Sequence, residues 1–106
     1  MQDDPVLSRF LEHVRLLGPK VKTVYLFGSR ARGTDRPDSD YDLLLVTAGD
    51  FSLQDKDALY DAVLAILLDT GRLVSLKIFR EQEFQRLSDM GTPFMTHVQR
   101  EGIRVG

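Results

Sequence analysis

Asp40 and Asp42 stand one residue apart at the head of an apolar run, YDLLLV at residues 41–46. On a strand, side chains two apart point to the same face, so the two carboxylates converge. Like charges this close repel, and one takes up a proton unless a cation sits between them. Mg²⁺ is a hard ion that favours a few carboxylates, water and substrate phosphates, and it suits such a pair. The chemistry implied is the binding of a metal-bound triphosphate. The plain alternative is a solvated turn, because PDSD at residues 37–40 is also good turn chemistry.

A second feature bears on the choice. Gly28-Ser29 directly follows VKTVYLF, residues 21–27, which reads as a strand from its β-branched and aromatic content. Glycine lets the backbone come close to a phosphate, and the amides and the Ser29 hydroxyl can then donate to phosphate oxygens. The joint spacing is Gly-Ser, ten residues, Asp-x-Asp, then an apolar run. Both halves sit at strand ends, and both complement one ligand. Arg30, Arg32 and Arg36 add local positive charge. Arg30 and Arg32 read as phosphate ligands, which arginine suits, or a protein-docking patch, and equally as part of a plain solvated loop.

The rest of the chain narrows the class. Its 106 residues suit one domain, 1–106, with one modest core. The formal net charge of −2 argues against a general nucleic-acid-binding surface, and no direct nucleic-acid partner is expected. Without cysteine there are no disulfides or thiolate metal sites. MQDDPVL at the start is acidic and has no apolar signal region, and no apolar run approaches a membrane span. A cytoplasmic location and no membrane partner are expected.

The elements that must position these residues follow from capping and periodicity. Asp4-Pro5 reads as a helix start, with Val6, Phe10, Val14 and Leu17 recurring on one side and Gly18-Pro19 ending it. The strand at 21–27 leads into a loop from Gly28 to Ser39. The strand at 41–46 is apolar throughout, which predicts a central strand covered on both faces. Ser52-Leu53-Gln54-Asp55 resembles a capping sequence for a helix over about 53–69, burying Leu59, Ala62, Val63, Ile66 and Leu67, with Gly71 as its stop. LVSLKIF, residues 73–79, is a third strand, with Val74, Leu76 and Ile78 on one face and Leu73, Ser75, Lys77 and Phe79 on the other. Glu81–Ser88 is a short helix, and Thr92-Pro93 opens a last one ending near Gly102. The expected class is α+β: a small mixed sheet of three strands, with room for a fourth, and helices packed against it.

GSRARGTDRPDSDYDLLL, residues 28–45, resembles the signature of the DNA polymerase beta-like nucleotidyltransferases. The chain is most similar to the minimal nucleotidyltransferases, small proteins often paired as antitoxins with HEPN-type toxins. The resemblance spans the whole chain, from the N-terminal helix to the helical tail. It implies the polymerase beta-like fold, with Gly28 and Ser29 binding nucleotide phosphates and Asp40 and Asp42 holding Mg²⁺. It implies ATP as substrate, a HEPN toxin as partner in a hetero-oligomer, and transfer of AMP to a hydroxyl of that toxin, a tyrosine, which neutralises it.

One departure stands out. Two-metal phosphoryl transfer usually uses a third carboxylate. The resemblance places it on the third strand, at Ser75 or a near neighbour, yet no Asp or Glu occurs between Arg72 and Arg80. Serine cannot replace an anionic ligand or a base at neutral pH. Lys77 shares the face of Ser75 and reads equally as a phosphate contact or an ordinary surface lysine. Asp35 or Asp38 in the loop, or a group from the partner, is then needed as base. Otherwise the domain binds nucleotide and neutralises its partner by contact, with slow transfer or none. His13 and His97 read as surface histidines, Phe94 and Met95 as packing residues of the tail, and Tyr41 as core.

Overall fold

The computed structural model describes residues 4–27 and 40–106. The first helix, α1 (Pro5–Leu16), begins where Asp4 caps it: the carboxylate accepts from the backbone N–H of Val6 at 3.0 Å and of Leu7 at 3.2 Å. That satisfies two of the donors a helix start leaves open. Pro5 fits the first position because its missing N–H has no partner there in any case. Val6, Leu7, Phe10 and Val14 form the buried side. After a short 3-10 turn (Gly18–Lys20), β1 (Val21–Phe27) runs antiparallel to β2 (Tyr41–Thr47).

The helix α2 (Leu53–Thr70) starts with a complete capping box. The Ser52 N–H donates to Asp55 Oδ2 at 2.8 Å, and the Asp55 N–H donates to Ser52 Oγ at 3.2 Å. These bonds from Ser52, joined by Lys20 Nζ at 3.3 Å, hold the Asp55 carboxyl below its usual range. Gly71 ends the helix at φ 73°, a backbone region that costs glycine little. Leu59, Ala62, Val63 and Ile66 are buried as expected, but Leu67 is only half-buried.

The chain then returns as β3 (Val74–Arg80), parallel to β2, one residue later than LVSLKIF suggests. β2, α2 and β3 thus form a crossover unit. Two helices follow, α3 (Glu81–Met90) and α4 (Pro93–Glu101), the latter capped by Thr92 Oγ1. A two-residue strand, β4 (Ile103–Arg104), pairs antiparallel with β1 at Leu26 and Tyr25. The sheet order is β3-β2-β1-β4, so the fold is α+β with a mixed four-stranded sheet.

Alternation along the strands sends side chains into two packed layers. Val24, Leu26, Tyr41, Leu43, Leu45 and Val74 meet α1 and α2 on one face. On the other, Phe27, Leu44, Val46 and Phe79 meet Phe84 of α3 and Phe94 and Val98 of α4. Every residue of β2 but Asp42 is buried, which is the central, doubly covered strand its apolar run predicts. Among the described residues, no helix is long and apolar enough to cross a membrane.

Candidate active site

The aspartate pair lies at the mouth of this central strand. Asp40 immediately precedes β2 and is exposed, while Asp42 is half-buried on the strand itself. Asp42 shares its face with Leu44 and Val46, the side covered by α3 and α4. Its neighbour across the antiparallel pair is Phe27, the last described residue before Gly28-Ser29. On the parallel side its partner is Ser75, and Lys77 pairs with Leu44 one step along the same face.

These neighbours set the charge state of Asp42. Partial burial raises its carboxyl above the usual carboxylate value, and the charge of Asp40 raises it further. The Lys77 ammonium pulls the other way. Asp40, Asp42 and Lys77 are thus one electrostatic group, with two like charges only partly offset by a cation.

The donor set fits a divalent ion. Two carboxylates that repel each other, with open sides toward solvent, are hard oxygen ligands whose ionised form such an ion would stabilise. The set for a second ion is not present among the described residues, where no group of three His, Cys, Asp or Glu side chains is placed to hold a metal. Ser75 occupies the position beside Asp42 and Lys77 the next one along the same face, away from the mouth, so the third strand brings a hydroxyl and an ammonium to the site instead of an acid.

Tyr41 holds the root of the site in a way its sequence position does not reveal. Its ring is buried on the opposite face, and its hydroxyl donates to Asp4 Oδ2 at 2.5 Å. Its backbone N–H donates to the Leu73 carbonyl at 2.9 Å. The residue between the two aspartates is therefore tied both to the cap of α1 and to the entry of β3. The only sequence signal was a tyrosine where an aliphatic residue would serve, since a buried phenol wants a partner for its O–H.

Gly28, Ser29, Arg30 and Arg32 lie outside the described residues, as do Asp35, Arg36 and Asp38. His97 pairs with Glu101 at 3.3 Å on α4. Phe94 packs edge-on against Phe27 with ring centroids 5.9 Å apart, and Met95 is buried. Both act as packing residues of the tail.

The polymerase beta nucleotidyltransferase family matches the chain over residues 11–105. The chain belongs to that family. No curated protein matches it. Two solved structures are similar to this nucleotidyltransferase-family chain. One is a toxin-antitoxin with AMP-PNP, at 18% identity and a TM-score of 0.57, covering 92% of this chain and 69% of that one. The other is a mutant of the toxin-antitoxin MntA-HpeT, at 14% identity and a TM-score of 0.54, with the same coverage of 92% and 69%. At these identities the likeness is one of fold.

Proposed function

We propose that this chain is the antitoxin of a cytoplasmic toxin-antitoxin pair. It transfers AMP from ATP to a hydroxyl of its partner, a tyrosine of a HEPN-type ribonuclease toxin, and so neutralises it. The observation that carries the reading is the electrostatically coupled pair Asp40 and Asp42 at the mouth of the central strand, in a chain of this family. The similarity to two toxin-antitoxin structures, one with AMP-PNP, supports the partner class and the nucleotide.

In this reading Asp40 and Asp42 hold Mg²⁺, and Gly28, Ser29, Arg30 and Arg32 cradle the phosphates. The ion, when bound, offsets the charge of the triphosphate and of the two carboxylates. Lys77 adds a positive charge on the same face, where it can meet a phosphate oxygen. The acceptor oxygen forms a bond to the α-phosphorus, the bond from that phosphorus to the bridging oxygen breaks, and pyrophosphate leaves. The acceptor proton needs a base. β3 offers none, so the base comes from Asp35, Asp38 or the partner.

A second reading is favoured by that same missing acid: the chain binds nucleotide weakly and neutralises its toxin by contact alone. Mass spectrometry of the partner co-expressed with this chain separates the two. An added AMP on the partner, lost in Asp42→Asn, is the expected result. An unmodified but neutralised partner would establish the contact-only reading.

A further inference from the structure

A well-formed hollow among the described residues lies away from the aspartate pair. It measures about 720 Å³ and opens at the other end of the sheet, where Thr47 ends β2 and Arg80 ends β3. Thr47 is five steps along the strand from Asp42, so the two places lie about 17 Å apart. Crevices outside the carboxyl ends of parallel strands are where open α/β sheets generally take ligands. The volume is that of an ordinary small-molecule site.

Its lining has a definite chemistry. Lys56 from α2, Arg80 from β3 and Arg86 from α3 converge on it, against one carboxylate, Glu83. None of the three cations is held in an ion pair among the described residues. This local excess of positive charge stands in a chain whose net charge is −2. A smaller hollow of about 340 Å³ adjoins it through Arg80 and Gln82 and brings in one cation, Lys22, and one carboxylate, Glu81. Phe51 and Ile78 give the main hollow an apolar wall.

We infer that this hollow is a second binding site, for a small phosphate monoester. Two guanidinium groups suit the oxygens of one phosphate, and an ammonium adds a third charged donor. The apolar wall accommodates the organic part. The inference does not rest on the transferase reading, because no residue of the aspartate pair takes part. A mononucleotide and a sugar phosphate share the chemistry that the cations recognise, and they differ in what they offer Phe51 and Ile78.

The test is a titration of the full chain with AMP, ribose 5-phosphate and adenosine, in metal-depleted buffer, following backbone amide resonances. Both phosphate esters should shift the amides of Ala48, Gly49 and Phe51 saturably, and adenosine should not. Tighter binding of AMP would identify a nucleotide as the source, and equal binding a sugar phosphate. Lys56→Ala and Arg86→Ala should each weaken binding about tenfold, the worth of one charged hydrogen bond. Asp42→Asn should leave it unchanged. Higher salt should weaken it in wild type, a readout that needs no variant to fold. Shifts confined to the surroundings of Asp42 and Ser75, adenosine matching AMP, or salt-independent binding would overturn the inference.

Discussion

Ser75 stands directly beside Asp42 across the parallel pair of β2 and β3. The residue that β3 places against the half-buried carboxylate therefore carries a hydroxyl, with Lys77 one step farther along the face. If the site is short of one anionic ligand, this is where a carboxylate would restore it. Ser75→Asp should tighten Mn²⁺ or Mg²⁺ binding, measured calorimetrically in the presence of ATP, on the order of tenfold, since affinity follows the number of charged ligands. An aspartate at 75 can instead pair with Lys77. Ser75→Asp with Lys77→Ala removes that outlet and should show the larger gain. No gain in either folded variant would mean that the third strand does not limit metal binding.

Asp42 also predicts a dependence of stability on pH. Its folded-state value lies above the usual 3.8, so the folded chain holds the proton more tightly than the unfolded chain. The stabilisation is complete below the unfolded value and is lost as pH rises through the folded value. Without metal, Asp42→Asn should melt slightly above wild type at neutral pH, and the difference should vanish below about pH 3.8, the unfolded value. The effect is small because solvent screens a partly exposed group. Thermal melts of the two proteins across pH measure it.

Mg²⁺ with ATP should reverse that order. A ligand that binds only the folded chain stabilises by about 2.7 kcal/mol at one hundred times its dissociation constant, a rise of roughly 10 °C or more in Tm for a domain this size. The rise should appear in wild type and be absent in Asp40→Asn and Asp42→Asn. The same variants should lose transfer by on the order of a hundredfold or more, the usual cost of removing an electrostatic partner of the transition state. A variant that transfers AMP at the wild-type rate would show that its carboxylate is not a ligand in the reaction.

Much of this was legible in the sequence where the signal is local. Asp4-Pro5, Ser52 with Asp55, and Thr92-Pro93 mark helix starts because the capping atoms lie within a few residues of each other. The run at 41–46 announces a covered central strand because burial on both faces leaves no polar alternation. β4 was not assigned as an element, since two residues carry no period and form a strand only because β1 has a free edge. Leu67 was placed in the core by helical spacing, but it lies at the margin of the buried face and is only half-covered. The cationic hollow is invisible in the sequence. Lys56 lies more than twenty residues before Arg80 and Arg86, and the crossover from α2 to β3 brings it to them.

The link from Tyr41 to Asp4 was equally hidden, and it carries its own prediction. The phenol donates to a carboxylate that already caps α1, a charge-assisted bond in a partly buried place. Tyr41→Phe keeps the ring and removes only the hydroxyl. It should cost about 1.5–3 kcal/mol, the range for hydrogen bonds to charged groups, and lower the Tm accordingly. A double-mutant cycle with Asp4→Asn should show coupling between the two positions. Additive losses would mean that the contact contributes nothing of its own.

The outer edge of β1 is guarded by very little. Among the described residues, β4 covers it with two paired residues, and the Val105 N–H to the Val24 carbonyl and the Val24 N–H to the Gly106 carbonyl, each at 2.9 Å, extend the cover. The inner edge of β1 is instead sealed by the full length of β2. Opening so short a cover costs far less than global unfolding. In hydrogen-exchange measurements the Val24 amide, bonded outward to this cover, should exchange well before the amides buried inside β2. While it is open, the strand offers bare donors and acceptors to any extended segment that passes, and this flank joins the outer edge of β3, at the other end of the sheet order, as a place open to strand invasion and self-association.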